Sequence, residues 1–130
     1  YEVPRRLRDD ELPGIVDLFR QATRRALQAG FDGVQLHGAH GYLLDQFLRD
    51  GVNDRQGPGF ERYGGSIENR ARLLMECIDA AIAEAGADRV GLRLSPLAEN
   101  NDLRDSDPEA LLAHVAQQLA ARRIAYLELR

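Results

Sequence analysis

Phe31-Asp-Gly-Val-Gln-Leu-His37-Gly-Ala-His40-Gly-Tyr42 opens as a short run alternating apolar and polar residues and closes on three hydrogen-bonding side chains. Alternation of this kind reads as a strand, and the segments on either side of it read as helices. A strand that ends in a polar cluster between two helices sets those side chains at the carboxyl end of a parallel sheet, where α/β enzymes keep their active sites.

Working outward, the segment before this strand predicts a helix from about Pro13 to Ala29. Proline suits the opening turn, Asp9 and Asp10 are candidate caps, and Gly30 can end it. Ile15, Leu18, Phe19, Ala22 and Ala26 are expected on its apolar face, with Arg20, Arg24 and Arg25 on a solvated one. A second helix follows Tyr63-Gly-Gly65, with Ser66 as cap and an apolar stripe of Ile67, Ala71, Leu74, Ile78, Ala81 and Ala85. Cys77 falls on that stripe and reads as a buried structural thiol. A third helix opens at Asp107-Pro108 and buries Leu111, Leu112, Val115 and Leu119.

Three strands lie between these helices, at about Gly33 to His37, Arg89 to Leu94 and Ile124 to Leu129. The helical crossovers are long enough for parallel pairing. Period-two alternation puts Val34, Leu36, Val90, Leu92, Leu94, Ala125, Leu127 and Leu129 on one face, and Gln35, His37, Gly91, Arg93, Tyr126 and Glu128 on the other. An open sheet covered by helices on both faces would be apolar on both. The polar second face therefore favours a (β/α) barrel whose interior gathers polar groups near its mouth, of which this chain holds about three consecutive βα units. The connection after the first strand runs about 28 residues and that after the second about a dozen, while the returns into strands are short, so function is expected on the long loops. Within the first, Leu43, Leu44, Phe47 and Leu48 have helical spacing and are expected to steady Tyr42.

Composition sets the outer limits. At 130 residues and 44% hydrophobic, the chain suits a single domain. A net charge of -4 leaves no broad basic surface for nucleic acid. No apolar run approaches the ~20 residues of a membrane span, and the lone cysteine cannot form an internal disulfide, which points to a reducing cytoplasm. All 17 basic residues are arginine, which removes Schiff-base lysine chemistry and a P-loop. The chain starts at Tyr1 and its only methionine is Met75, so we expect an internal piece of a longer protein.

Two histidines three apart are a weak metal motif, because a third ligand is needed and, although Asp45 is near, the long spacing of zinc helices is missing. Ser66, Ser95 and Ser106 lie outside any Gly-x-Ser-x-Gly elbow. What is left is a pair of imidazole N–H donors able to grip an oxygen, and beside them a phenol, a side chain that holds its proton at neutral pH and can act as general acid. The bland alternative, histidines that merely order a loop, stays open on these residues alone.

Ala29 to Leu48, Tyr63-Gly-Gly-Ser-Ile-Glu-Asn-Arg-Ala-Arg72 and Val90-Gly-Leu-Arg-Leu-Ser-Pro96 together resemble the Old Yellow Enzyme family of FMN-dependent ene-reductases, from about Pro4 onward. The resemblance implies a flavin-binding (β/α)8 barrel of which residues 1–130 form a central segment, with FMN reduced by NADPH or NADH and then passing hydride to an activated alkene. It also implies that His37 and His40 bind the substrate's carbonyl or nitro oxygen, that Tyr42 donates the proton, and that Arg93 sits beside the flavin N1 and C2 carbonyl. A structural ion pair with Glu128 is the alternative for Arg93. Gly64-Gly65-Ser66 and Glu68-Asn69-Arg70 look structural, pinning the long loop to the second helix. An iron–sulfur relative would need four thiolates where the chain has one cysteine.

Two stretches depart from the family's pattern. Gln56-Gly-Pro-Gly-Phe-Glu61 looks like an insertion, and Leu97-Ala-Glu-Asn-Asn-Asp102 puts Asn100 where an aromatic often borders the pocket. The early strands that line the flavin and the late ones that hold its phosphate have no counterpart here. As a bare segment the chain is expected to self-associate through open sheet edges, and its alternative reading is a noncatalytic barrel fragment serving as an associating structural module.

Overall fold

The computed structural model describes residues 5–98 and 103–130. It comprises α1 (Leu12–Gln28), β1 (Val34–Gly38), α2 (Leu43–Leu48), α3 (Ile67–Ala85), β2 (Val90–Leu94), α4 (Pro108–Arg122) and β3 (Tyr126–Leu129). The strands form one parallel sheet in the order β1-β2-β3, with Val34 opposite Val90 and Gly91 opposite Tyr126. The expected alternation of helix and strand holds, and each strand starts one or two residues later than the pattern predicts. No helix among the described residues is long and apolar enough to cross a membrane.

Helices cover one face of the sheet. Leu36, Val90, Leu92 and Leu94 are buried against α3, α2 and α4, whereas Gln35 and His37 on the opposite face are exposed. α3 is the keystone and buries residues around most of its circumference, Leu73, Met75, Cys77 and Ala80 as well as the expected stripe, because it packs on α1, α2, α4 and two strands at once. Ser66 caps it by accepting from Asn69 N–H at 3.3 Å, and Asp107 caps α4 by accepting from Ala110 N–H at 2.9 Å. Burial pushes the Cys77 thiol up to about 12, as befits a structural cysteine.

Two expectations for α1 are corrected. Its entry is a 3-10 turn, Asp9–Glu11, and neither aspartate caps it. Asp9 is buried instead, accepting from Arg55 Nη2 at 2.7 Å and from Arg62 N–H at 2.9 Å. The apolar arc of α1 is also wider than one face, and packing on α3 selects its Leu12, Val16, Phe19, Thr23 and Leu27 side; Leu18 is left 59% exposed and Ala22 exposed. Arg24 is exposed as expected and pairs at the surface with Glu84 of α3 at 2.8 Å.

Both long loops leave the carboxyl end of the sheet and are tied together by buried arginines. Arg70 donates to Leu48 O, to Asp105 and, at 3.2 Å, to Gly65 O, so the Glu-Asn-Arg motif pins the long loop as expected. Gly51 N–H donates to Arg104 O at 3.1 Å, an approach so close that a Cβ at Gly51 would lie 2.7 Å from that oxygen. The apparent insertion folds back on the first residues described. Phe60 takes the guanidinium of Arg55 at 5.3 Å and that of Arg6 at 5.8 Å, and Asp9 N–H donates to Gly59 O at 2.9 Å.

Candidate active site

The polar face is built in levels across the sheet. At the carboxyl end His37, Arg93 and Glu128 are partners in register, and one level below them Gln35, Gly91 and Tyr126 are. Gly91 supplies the room that the Tyr126 ring fills, since a Cβ there would lie 2.4 Å from Tyr126 Cζ. The upper level is bonded, with Arg93 Nε donating to Glu128 Oε2 at 2.9 Å, and from the level below Gln35 Nε2 donates to the same oxygen at 2.8 Å. Arg93 first, then the Gln35 amide, pull the Glu128 carboxyl down to about 2. The ion pair foreseen as an alternative for Arg93 is therefore present. It uses Nε, and the other guanidinium donors make no bond to a described residue.

Beyond β1 the chain turns through two left-handed residues, His40 at φ 58° and Gly41 at φ 80°. The turn brings the His40 ring within 5.4 Å of the His37 ring, centroid to centroid, and the Tyr42 ring also within 5.4 Å of it. All three side chains predicted from sequence thus come together, with Tyr42 63% exposed at the start of α2. Tyr42 C=O accepts from Gln46 N–H at 2.9 Å, and the Gln46 side chain returns to Gly41 O at 2.7 Å, so α2 steadies the tyrosine backbone as expected. Asn100 lies outside the described residues.

Sequence reasoning missed the support beneath the turn. Asp45 on α2 and Arg49, the residue that caps its end, are 2% and 3% exposed and bonded at 2.8 Å. Their signal was available, because they flank the buried Phe47 and Leu48 on a helix too short to present a separate polar face. Asp45 is thereby committed to Arg49 and to Gly41 N–H rather than to a site with the histidines.

The model for the NADH:flavin oxidoreductase / NADH oxidase family matches residues 1–130. This chain belongs to that family. Among its relatives, 12-oxophytodienoate reductase 1 of Oryza sativa subsp. japonica is 58% identical over 119 residues, which are 92% of this chain and 30% of that protein. A morphinone reductase structure in complex with tetrahydroNAD superposes with a TM-score of 0.94 at 47% identity, covering 98% of this chain and 34% of the other. The old yellow enzyme homologue from Zymomonas mobilis gives 0.94 at 45% identity, covering all of this chain (100%) and 36% of its own. The chain spans about a third of the length of the oxidoreductases it matches, and its open three-stranded sheet is the corresponding part of a (β/α)8 barrel.

Proposed function

We propose that residues 1–130 are the central, substrate-facing part of an FMN-dependent oxidoreductase that reduces the activated C=C bond of α,β-unsaturated carbonyl or nitro compounds, with NADPH or NADH as electron source. The observation that carries this reading is the convergence of His37, His40 and Tyr42, ring to ring at 5.4 Å, on the open polar face of the sheet. A reducing cytoplasm suits a protein whose one thiol is buried.

Arg93 fits the flavin. It is a guanidinium whose remaining donors bond to no described residue, held by Glu128 and level with His37, and such a cation suits the electron-rich N1 and C2 carbonyl edge of a reduced ring. Bound FMN supplies the hydride. The imidazole N–H groups of His37 and His40 hold the carbonyl or nitro oxygen and draw electron density from the alkene, so that negative charge developing there meets preset donors. Tyr42 Oη gives its proton to the alkene carbon that does not receive hydride, completing addition of one hydride and one proton across C=C.

The test uses the full-length, flavin-loaded protein. Tyr42→Phe is expected to slow alkene reduction about 10²- to 10⁴-fold while flavin reduction by NADPH is nearly unchanged, because the proton is needed in the second half-reaction alone. Stopped-flow traces of the two half-reactions decide it, and equal slowing of both removes Tyr42 from the donor role.

A further inference from the structure

Four hydrogen bonds close a ring beneath the turn that carries His40 and Tyr42. The backbone N–H of His40 donates to Ser95 Oγ at 2.8 Å, and the carbonyl of Ser95 accepts from Arg49 Nη2. Arg49 Nε donates to Asp45 Oδ1 at 2.8 Å, and Asp45 Oδ2 accepts from Gly41 N–H at 3.1 Å. A fifth bond, from Arg49 Nη1 to Pro96 O at 2.8 Å, fastens the ring to the loop after β2. Ser95, Asp45 and Arg49 are 1%, 2% and 3% exposed, so water does not compete for these bonds.

The ring grips the two residues whose backbone most needs holding. His40 adopts a left-handed φ of 58°, which an L-residue other than glycine, asparagine or aspartate enters reluctantly, and Gly41 follows it at 80°. Left alone, the His40 backbone would relax out of that region and carry its imidazole away from His37. Ser95 and Asp45 take the N–H groups of these two residues directly. Ser95 also stands two residues beyond Arg93, so one serine couples the strand bearing the flavin-side cation to the turn bearing the substrate-side donors.

We propose that Ser95, backed by Asp45 and Arg49, is the positioning residue of the oxygen-binding pair: its hydroxyl holds His40 in the left-handed conformation that sets the spacing of His37, His40 and Tyr42. The role rests on the ene-reductase reading of those three residues. It differs from simple loop anchoring because the Ser95 hydroxyl bonds to His40 itself, whereas the loop is anchored by Arg49 through the Ser95 and Pro96 carbonyls.

The experiment compares Ser95→Ala, Ser95→Thr and the double variant His37→Ala/His40→Ala in the full-length, flavin-loaded protein. Phenol affinity is read from the flavin absorbance, and amide hydrogen exchange is followed by mass spectrometry over residues 39–42. Losing one neutral hydrogen bond to the turn is expected to raise the phenol Kd about fivefold to tenfold in Ser95→Ala and to speed exchange over 39–42 by a similar factor. Flavin content should stay at the parent level, and threonine, which keeps the hydroxyl, should restore both readouts. If alanine loads flavin poorly, Ser95→Cys replaces it, since a thiol is close in shape and a weak acceptor. A parent-like phenol Kd in the hydroxyl-free variant overturns the positioning role whether or not exchange rises, and so does a loss of affinity that threonine fails to rescue. Unchanged phenol affinity in the double histidine variant has a separate meaning: the donor-pair reading itself fails.

Discussion

Arg49→Met tests whether burial, rather than distance, makes an ion pair matter in this protein. The Arg49–Asp45 and Arg24–Glu84 pairs are both 2.8 Å long, but their side chains are 4% and 2% exposed in the first and 55% and 19% in the second. Methionine keeps the length of the Arg49 stem and removes its donors. The Asp45 carboxylate is then left buried with Gly41 N–H as its remaining partner, and the Ser95 and Pro96 carbonyls lose theirs. Breaking one side of a buried pair typically costs about 3–5 kcal/mol. The urea midpoint should fall by that cost divided by the m-value, which for a protein of full length is larger than the roughly 2 kcal/mol/M of a small domain, a drop of about 1 M. Adding Asp45→Asn to the same chain removes the stranded charge and keeps an acceptor for Gly41 N–H, so the double variant should recover at least half of the loss. Arg24→Met should leave the midpoint where it was, because solvent screens that pair. Urea unfolding of the full-length protein, followed by far-ultraviolet circular dichroism, gives all three numbers. An Arg49→Met cost below about 1 kcal/mol, or a double variant no more stable than the single, refutes the claim that this buried pair holds the loops.

Three further outcomes follow from the same structure. Cys77, its thiol held near 12 by burial, should be inert to a disulfide reagent at pH 8 in the native protein and react at once in urea; fast native labelling would contradict its place on the buried side of α3. The Glu128 carboxyl, lowered from an ordinary 4.5 to about 2, contributes stability that is fully present above the unfolded value and lost as pH falls through about 2; carboxyl NMR should find it titrating there, and a midpoint near 4.5 would mean the Arg93 pair does not form in solution. The isolated 130-residue chain, with three parallel strands and unpaired edges at β1 and β3, should self-associate and bind FMN weakly; light scattering beside a flavin-fluorescence titration checks this, and a monodisperse monomer with submicromolar affinity would require a cofactor site that its residues do not supply.

What the sequence determined by itself was local in origin. The caps Ser66 and Asp107, Pro108 at a helix start and Gly30 after a helix end are each signals confined to a few neighbouring residues, and each reappears in the structure where the pattern put it. Because alternation along a strand fixes which side chains share a face, the polar face that carries His37, Arg93 and Glu128 was legible before any strand was paired, whereas their common level came from the pairing. The histidine and tyrosine cluster was legible because its members lie within six residues on one turn. Tertiary structure alone decided what depends on contacts between distant segments. The rotation of α1 that exposes Leu18, the removal of Asp9 from capping to Arg55, the room Gly91 leaves for Tyr126, and the burial of Asp45 and Arg49 beneath the turn are all of this kind. A carboxylate four residues from an arginine on a short helix is written the same way whether it faces water or a neighbouring loop. The free energy that distinguishes the two comes from the Ser95 and Pro96 carbonyls some 46 residues away, which the local pattern does not contain.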